Sequence, residues 1–351
     1  MITSYLIASV GTAFCSPNLL SWLGFIADES SATNVACVLF NVLAAILTVW
    51  LTAKIYRILF SPLDLYRGAN SVGYVHHDSR IQTAQAVKDA QKRKKIGNSP
   101  PVFPNGWFRV LDSRSLEKGR VKSVYVFGTQ LAVFRNKRGT VRIVDAYCPH
   151  LGANLAVGGK VVNSDCLECP FHGWKFSGET GKLVDVPYSQ KVPSFVSIST
   201  WPCCEVNGFI YIWHHCDKAE PQWRVPEAEL LKDFKYVGRT EHIVHAHIQD
   251  IPENGADSAH LSHLHKPVIG SDVEQTNDSF LNYLIRHGIQ IERDILMWNN
   301  KTYLKKPVLM KEESALAKHR RWYQQFYSEN SPRLDDQGNL FYPNKADVTD
   351  W

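Results

Sequence analysis

The sequence predicts an α+β chain in three parts: a membrane helix near the N-terminus, a small antiparallel β-domain, and a mixed α+β domain. Three observations carry this. Residues 35–51, VACVLFNVLAAILTVWL, are apolar with few interruptions, and no charged residue occurs from Ser30 to Ala53. Between Trp107 and His215, short runs rich in β-branched and aromatic residues alternate with Gly, Asn and Lys turns, the signature of strands. Farther on, YLIRHGIQIERDILMWNNK (283–301) has apolar residues at 284, 285, 289, 295, 296 and 298, a helical spacing.

Composition narrows the function classes. The chain has 351 residues, 44% apolar and 21% charged, which suits two folded domains rather than a disordered polymer. A net charge of +5 without a basic stripe of interleaved aromatics argues against nucleic acid as a partner. Eight cysteines, unevenly clustered, suit metal binding in a reducing compartment better than a disulfide scaffold.

The elements follow in order. Residues 1–60 form a membrane anchor, because the run at 35–51 approaches the roughly 20 residues a spanning helix needs. Asp28 and Glu29 precede it, and Lys54, Arg57 and Arg67 follow. The positive-inside rule then puts the later domains on the cytoplasmic side, as for an endoplasmic reticulum protein. The earlier ITSYLIASVGTAF lacks a basic start and reads as a membrane-associated lead-in rather than a cleaved signal. A second span within 2–27 is the weaker reading, since Pro17 and Asn18 interrupt it. Residues 61–103 are a polar linker carrying KDAQKRKK (88–95), a solvated helix face with anionic lipid as the rival contact. SPPVFPNGW (99–107) marks a boundary by its prolines and glycine.

The β-domain, 104–216, contains VKSVYVFG, QLAVFRN, TVRIVDAYC and CEVNGFIYIWHH as strands. In its loops lies CPHLGANLAVGGKVVNSDCLECPFHGW (148–174), with Cys148-x-His150 and Cys169-x-x-His172. A disulfide is disfavoured in a reducing compartment. Zinc would use Cys166-x-x-Cys169 as half a site, but the usual second half is missing. A Rieske [2Fe–2S] centre needs two cysteines on one iron and two histidines on the other, and each loop supplies one of each. Cys166 then falls outside the cluster as a buried, inert thiol. Imidazole ligation raises the potential above that of an all-cysteine cluster, which suits delivering electrons to an oxidising partner.

The second metal signal is IPENGADSAHLSHLHKP (251–267). Three histidines and two acids fall within thirteen positions. On an ideal helix His260 and His263 share a face, whereas a five-residue spacing of His260 and His265 needs a π-bulge or a frayed helix end. Spacing alone leaves those pairs open.

Together the two motifs resemble the Rieske non-haem iron oxygenases over roughly residues 104–328. The pattern is Cys148-x-His150, Cys169-x-x-His172, then Glu253-Asn254-x-x-Asp257-x-x-His260-x4-His265. Within that family the anchor, ADSAHLSHLH, ERDILMWNNKTYLKKP and RRWYQQFYSENSPRL are similar to the Neverland-type cholesterol 7-desaturases, with bacterial 3-ketosteroid 9-hydroxylases next. The resemblance implies a helix-grip-like iron domain at 217–330, followed by a polar tail at 331–351. It implies mononuclear Fe(II) on His260 and His265, with His263 a neighbour, Asn254 beside the iron, and Asp257 passing electrons from a neighbouring subunit. Asp294 matches the position of the family's iron-binding acid, and Glu292 is its rival.

Conversion of cholesterol to 7-dehydrocholesterol in steroid hormone biosynthesis follows from the resemblance. So do O2 as co-substrate and a homotrimer. No Rossmann or flavin motif occurs in the sequence, so NAD(P)H acts through a separate reductase. The rival from another class is a non-catalytic Rieske electron carrier. Of His242, His245 and His247, alternation puts only His245 and His247 on one strand face, which reads as polar rather than as a third metal site. Cys203 and Cys204 read as strand packing, and the RRWYQQFY helix as packing on the iron domain. One departure from the family stands out. Only 28 residues separate His265 from Asp294, where relatives place most of a sheet. So short a segment implies a splice variant or a gene model missing exons, with an intact β-domain and an incomplete catalytic domain.

Overall fold

The computed structural model describes residues 32–60, 62–69, 72–74, 83–95, 97–265, 280–335 and 338–343. The second span considered within 2–27 lies outside them, as do residues 266–279. Two compact units divide these residues. The first unit holds helix α1, Ala32–Phe60, residues 62–66 and 236–241, and residues 280–288. Within α1, Ala36–Arg57 is long and apolar enough to cross a membrane, and none of it is buried in the chain. Its 22 residues span about 33 Å at 1.5 Å per residue, close to the ~30 Å of a hydrocarbon core. Strand β1, Leu63–Arg67, follows it. The stretch expected to be a linker therefore contains this strand and helix α2, Thr83–Arg93.

The second unit contains the β-domain. It begins with β2 (Gly106–Asp112), β3 (Val121–Val126), β4 (Thr129–Arg135) and β5 (Val141–Asp145). Four three-residue strands follow: β6 (Lys160–Val162), β7 (Cys166–Glu168), β8 (Lys175–Ser177) and β9 (Leu183–Asp185). β10 (Thr200–Trp201), β11 (Cys203–Val206) and β12 (Phe209–His214) complete it. They form three antiparallel sheets, ordered β10-β5-β4-β3, β11-β12-β2 and β6-β7-β8-β9. All four strand segments expected from the sequence are present.

β4 lies between two cores. Leu131 and Val133 face one, with Ile143, Ile210 and Ile212. Ala132 and Phe134 face the other, with Leu155, Leu167 and Phe176. Successive strand residues point to opposite faces, so a strand covered on both sides must be apolar at every position. LAVF is, and all four residues are fully buried. The second core contains Cys148 and Cys169, so the packing that holds the sheets together also holds both thiols.

At the end of β4, Arg135 pairs in a fork with both Glu205 carboxylate oxygens at 2.7 Å. The same guanidinium donates to the carbonyls of Leu116 at 2.8 Å, Gly139 at 2.8 Å and Ser113 at 3.2 Å. This fork holds Glu205's carboxyl below its ordinary range.

In the rest of the chain, β13 (Gly238–His242) pairs with β1. The strand ends at His242, so His245 and His247 lie in irregular chain rather than on a strand face. Short helical turns α3 (Asp250–Glu253) and α4 (Ala259–Leu264) precede the long α5, Phe280–Asn300. Helix α6, Ser314–Tyr323, and the two-residue pair β14 (Arg333–Leu334) and β15 (Leu340–Phe341) follow.

Arg135→Ala should strip three carbonyls and one carboxylate of a charged donor. Removing one partner of a largely buried charge network destabilises by about 2–3 kcal/mol. A thermal melt of the cluster's visible absorbance should show a lower midpoint, and Arg135→Lys should restore only part of it.

Candidate metal centres

Two loops carry the first ligand set, and they close in the same way. The Cys148 amide donates to the Ala153 carbonyl at 2.9 Å, and Gly152 donates back to the Cys148 carbonyl at 2.9 Å. The Cys169 amide donates to Trp174 at 2.7 Å, and Gly173 donates back to Cys169 at 3.1 Å. Each loop thus runs Cys-Pro-x-x-Gly, with the glycine at φ 71° or 73°, a left-handed turn that side chains resist. A Cβ at Gly173 would also lie 2.9 Å from Pro187 Cγ.

The loops bring the four side chains together. Cys148 and Cys169 are 2% and 3% exposed and within hydrogen-bond reach of each other. The imidazole rings of His150 and His172 lie 4.7 Å apart, and His150 stacks on Trp174 at 4.5 Å and 6°. The Trp174 indole donates to Tyr188 Oη at 2.7 Å. Two properties of this set fit a metal cluster. Burial pushes the Cys148 thiol up to about 11, so only a bound cation makes its thiolate favourable at neutral pH. His150 Nδ1 is buried without a protein partner, a costly state for a polar atom that ligation relieves. Cys166 opens β7, half-buried and outside the set. Burial raises its pKa too.

The second set joins the α4 end to α5. His260 Nδ1 donates to the Asp257 carbonyl, so Nε2 carries the ring's lone pair. His265 follows the last residue of α4 as its cap at φ −101°, ψ 28°, and its Nδ1 donates to Gln290 Oε1 at 2.7 Å. Its Nε2 faces the Asp294 carboxylate. A backbone or amide carbonyl on one ring nitrogen fixes the tautomer that offers the other to a metal. Asp294 Oδ1 lies 3.1 Å from His265 Nε2 and 3.8 Å from His260 Nε2. Ligands at about 2.1 Å from one ion and at right angles sit about 3 Å apart, so this face is near the spacing an ion requires. His260, His265 and Asp294 offer three donor atoms all within 4.8 Å of one another.

The surrounding chain holds that face. Asn254 Nδ2 is 3.1 Å from His260 Nε2. The Asp257 carboxylate accepts the Ala259 and His260 amides at 3.1 and 3.3 Å. Glu253, next to Asn254, receives a two-pronged bond from Arg320 of α6 at 2.6 and 2.7 Å. Arg293 donates to the Leu264 carbonyl at 2.9 Å, tying α5 to the end of α4.

The competing residues fall elsewhere. His263 is exposed. Glu292 takes an ion pair from Arg67 at 2.8 Å. His245 contacts Tyr74 at 2.8 Å, His247 donates to the Pro101 carbonyl at 3.0 Å, and burial lowers both pKa values. Cys203 and Cys204 form no disulfide and lie on strand β11. Gln290 was not anticipated, although it lies one helical turn before Asp294 on the same face. A third group, His215, Cys216 and Asp217, is also close enough to share an ion, but Asp217 is exposed.

A Rieske-type loop pair followed by a two-histidine, one-carboxylate face defines the class of Rieske non-haem iron oxygenases, whose metal groups are a [2Fe–2S] cluster and a mononuclear iron. Comparison with known proteins narrows this. Residues 106–196 match the Rieske [2Fe-2S] domain family. Residues 212–287 and 270–327 match the 3-Ketosteroid 9alpha-hydroxylase C-terminal domain family in two pieces. The chain is 49% identical to cholesterol 7-desaturase nvd 2 of Ciona intestinalis, covering 100% of both chains. It is 37% identical to cholesterol 7-desaturase nvd of Xenopus laevis, over 96% of this chain and 95% of the other. A probable 3-ketosteroid-9-alpha-monooxygenase oxygenase component of Rhodococcus rhodochrous is 24% identical over 73% of this chain and 88% of the other. Among solved structures, Pseudomonas putida CBB5 NdmA aligns over 63% of this chain and 89% of its own at TM-score 0.51 and 16% identity, a likeness of fold. The chain belongs to the cholesterol 7-desaturase family of Rieske oxygenases. The alignment with the Ciona relative extends over 453 positions, whereas this chain has 351 residues.

His260→Ala and His265→Ala should each lower mononuclear iron content at least about tenfold, since one lost ligand costs more than a lost supporting bond, while the cluster's EPR signal persists. His263→Ala should keep both metals. Metal analysis finding His263 essential and His265 dispensable would overturn the ligand set.

Proposed function

We propose that the protein is a membrane-anchored sterol oxygenase that converts cholesterol to 7-dehydrocholesterol. The observation that carries this reading is the His260–His265–Asp294 face, for which a pure electron carrier has no use. When bound there, iron supplies dioxygen chemistry at the positions a three-residue face leaves open. Cys148, His150, Cys169 and His172 hold the cluster. Asp257 fixes the His260 ring through its carbonyl and, in this reading, lies on the route of electrons from a neighbouring subunit of a trimer. Asn254 stands beside the iron. Taking two hydrogens from the sterol while reducing O2 to two waters requires two more electrons and two protons. NAD(P)H provides the electrons through a separate reductase, on the cytoplasmic face of the endoplasmic reticulum. The apolar helix α1 supports an anchor, which places the enzyme where its bilayer-dissolved substrate is.

A second feature bears on how active this form is. The residues between His265 and Asp294 number 28, the alignment with the Ciona relative runs well past this chain's length, and the C-terminal family matches in two pieces. Among the described residues after β12, strands are limited to β13 and the two-residue pair β14–β15. These support a catalytic domain lacking much of a helix-grip sheet, and with it the apolar lining a sterol requires. The chain expressed with a reductase and fed cholesterol should assemble its cluster but form 7-dehydrocholesterol far more slowly than the Ciona relative. Sterol analysis showing equal turnover would sink the idea of an incomplete domain, and a different sterol product would sink the substrate assignment.

A further inference from the structure

Two cavities in the second unit lie apart from both metal centres and meet along one wall. The larger, 1430 Å³, is lined by Lys92, Arg93, Lys95, Lys305, Arg321 and Arg333, and all six are exposed. Among the described residues none of the six forms an ion pair. Arg320 also reaches this cleft but is neutralised by Glu253, and among the described residues Asp335 is the acid in its lining. Like charges gathered in a concave surface raise the local potential and favour an incoming anion. The three arginines can bind an oxyanion in two-pronged fashion.

The smaller cavity, 520 Å³, has the opposite chemistry. Val102, Phe103, Phe108, Phe127, Val244 and Ala246 line it, and its volume is that of a small-molecule site. Lys94, Ser99, His245, Tyr303 and Leu334 line both cavities. Lys94 is committed to this wall, because its ammonium donates to the carbonyls of His245 at 2.5 Å and Trp298 at 2.9 Å. The wall therefore marks where a cationic surface changes to an apolar one. Neither cavity is lined by His260, His265 or Asp294.

We propose that the two cavities form one binding site for an anionic amphiphile, a hydrocarbon body in the apolar chamber carrying a phosphate monoester into the cationic cleft. Free phosphate would meet only the cleft, and a neutral amphiphile only the chamber. A single-chain phosphate meets both, and its charged end lies where six cations otherwise repel one another.

The test uses the full-length protein with its cluster, in a non-ionic detergent, titrated calorimetrically with dodecyl phosphate, dodecylphosphocholine and inorganic phosphate. Dodecyl phosphate should bind one to one and at least about tenfold more tightly than either comparator, one charge-assisted contact exceeding that factor. Its affinity should fall as salt rises. The triple variant K95E/K305E/R321E, changed only at exposed positions, should weaken it at least about tenfold while cluster absorbance and circular dichroism stay constant. Val102→Trp, which fills the chamber, should reduce dodecyl phosphate to the affinity of inorganic phosphate. Equal binding of dodecyl phosphate and inorganic phosphate would overturn the joined site in favour of a simple anion cleft. Equal binding of dodecylphosphocholine, or binding unmoved by the charge reversal, would overturn the role of the cations.

Discussion

A thiol buried in an apolar core resists ionisation, and the Rieske domain is organised around that constraint. Cys148 and Cys169 sit in the core that Ala132 and Phe134 line from one face of β4. The opposite face of the same strand packs on the β11-β12-β2 sheet through Leu131 and Val133. Cluster binding and domain stability therefore draw on the same packing. The loops can be irregular because each closes its own backbone hydrogen bonds around a left-handed glycine, so neither depends on regular sheet for satisfaction. The histidines sit outward of the thiols, half-buried, with Trp174 supporting one ring.

The second centre solves a different problem. Its candidate ligands come from separated segments, so their orientation depends on neighbours rather than on one loop. Each histidine gives its Nδ1 proton to a carbonyl oxygen, one from Asp257 and one from Gln290. Asn254 is held through its chain neighbour Glu253, whose carboxylate Arg320 grips from α6. The C-terminal helix, read from sequence as simple packing, thereby buttresses the iron-side turn with a largely buried ion pair.

Much of this was legible in the sequence. The two cysteine–histidine motifs carry their own spacing, and LAVF announces a strand buried on both faces. The His260–His265 pair was legible only through family likeness, because ideal helical geometry favours His263. In the structure α4 ends at Leu264 and His265, its cap, lies close to His260 and Asp294, while His263 is exposed. Strands β6 to β9 are three residues long, too short for alternation to register. Gln290 was missed because an amide on a helix announces nothing until its partner is known, and Arg320 because its carboxylate lies 67 positions earlier.

Helix α5 carries Asp294, Gln290 and Arg293 within five consecutive positions, and each holds a different part of the face: the acid, the His265 ring and the end of α4. These supports share one stretch of helix backbone. Fraying of that single stretch releases a ligand, a tautomer lock and a helix clamp in one event, so the iron-side region behaves as a cooperative unit. Loss of metal and local unfolding become two descriptions of the same transition, and whatever stabilises the C-terminal half of α5 also raises affinity for the ion.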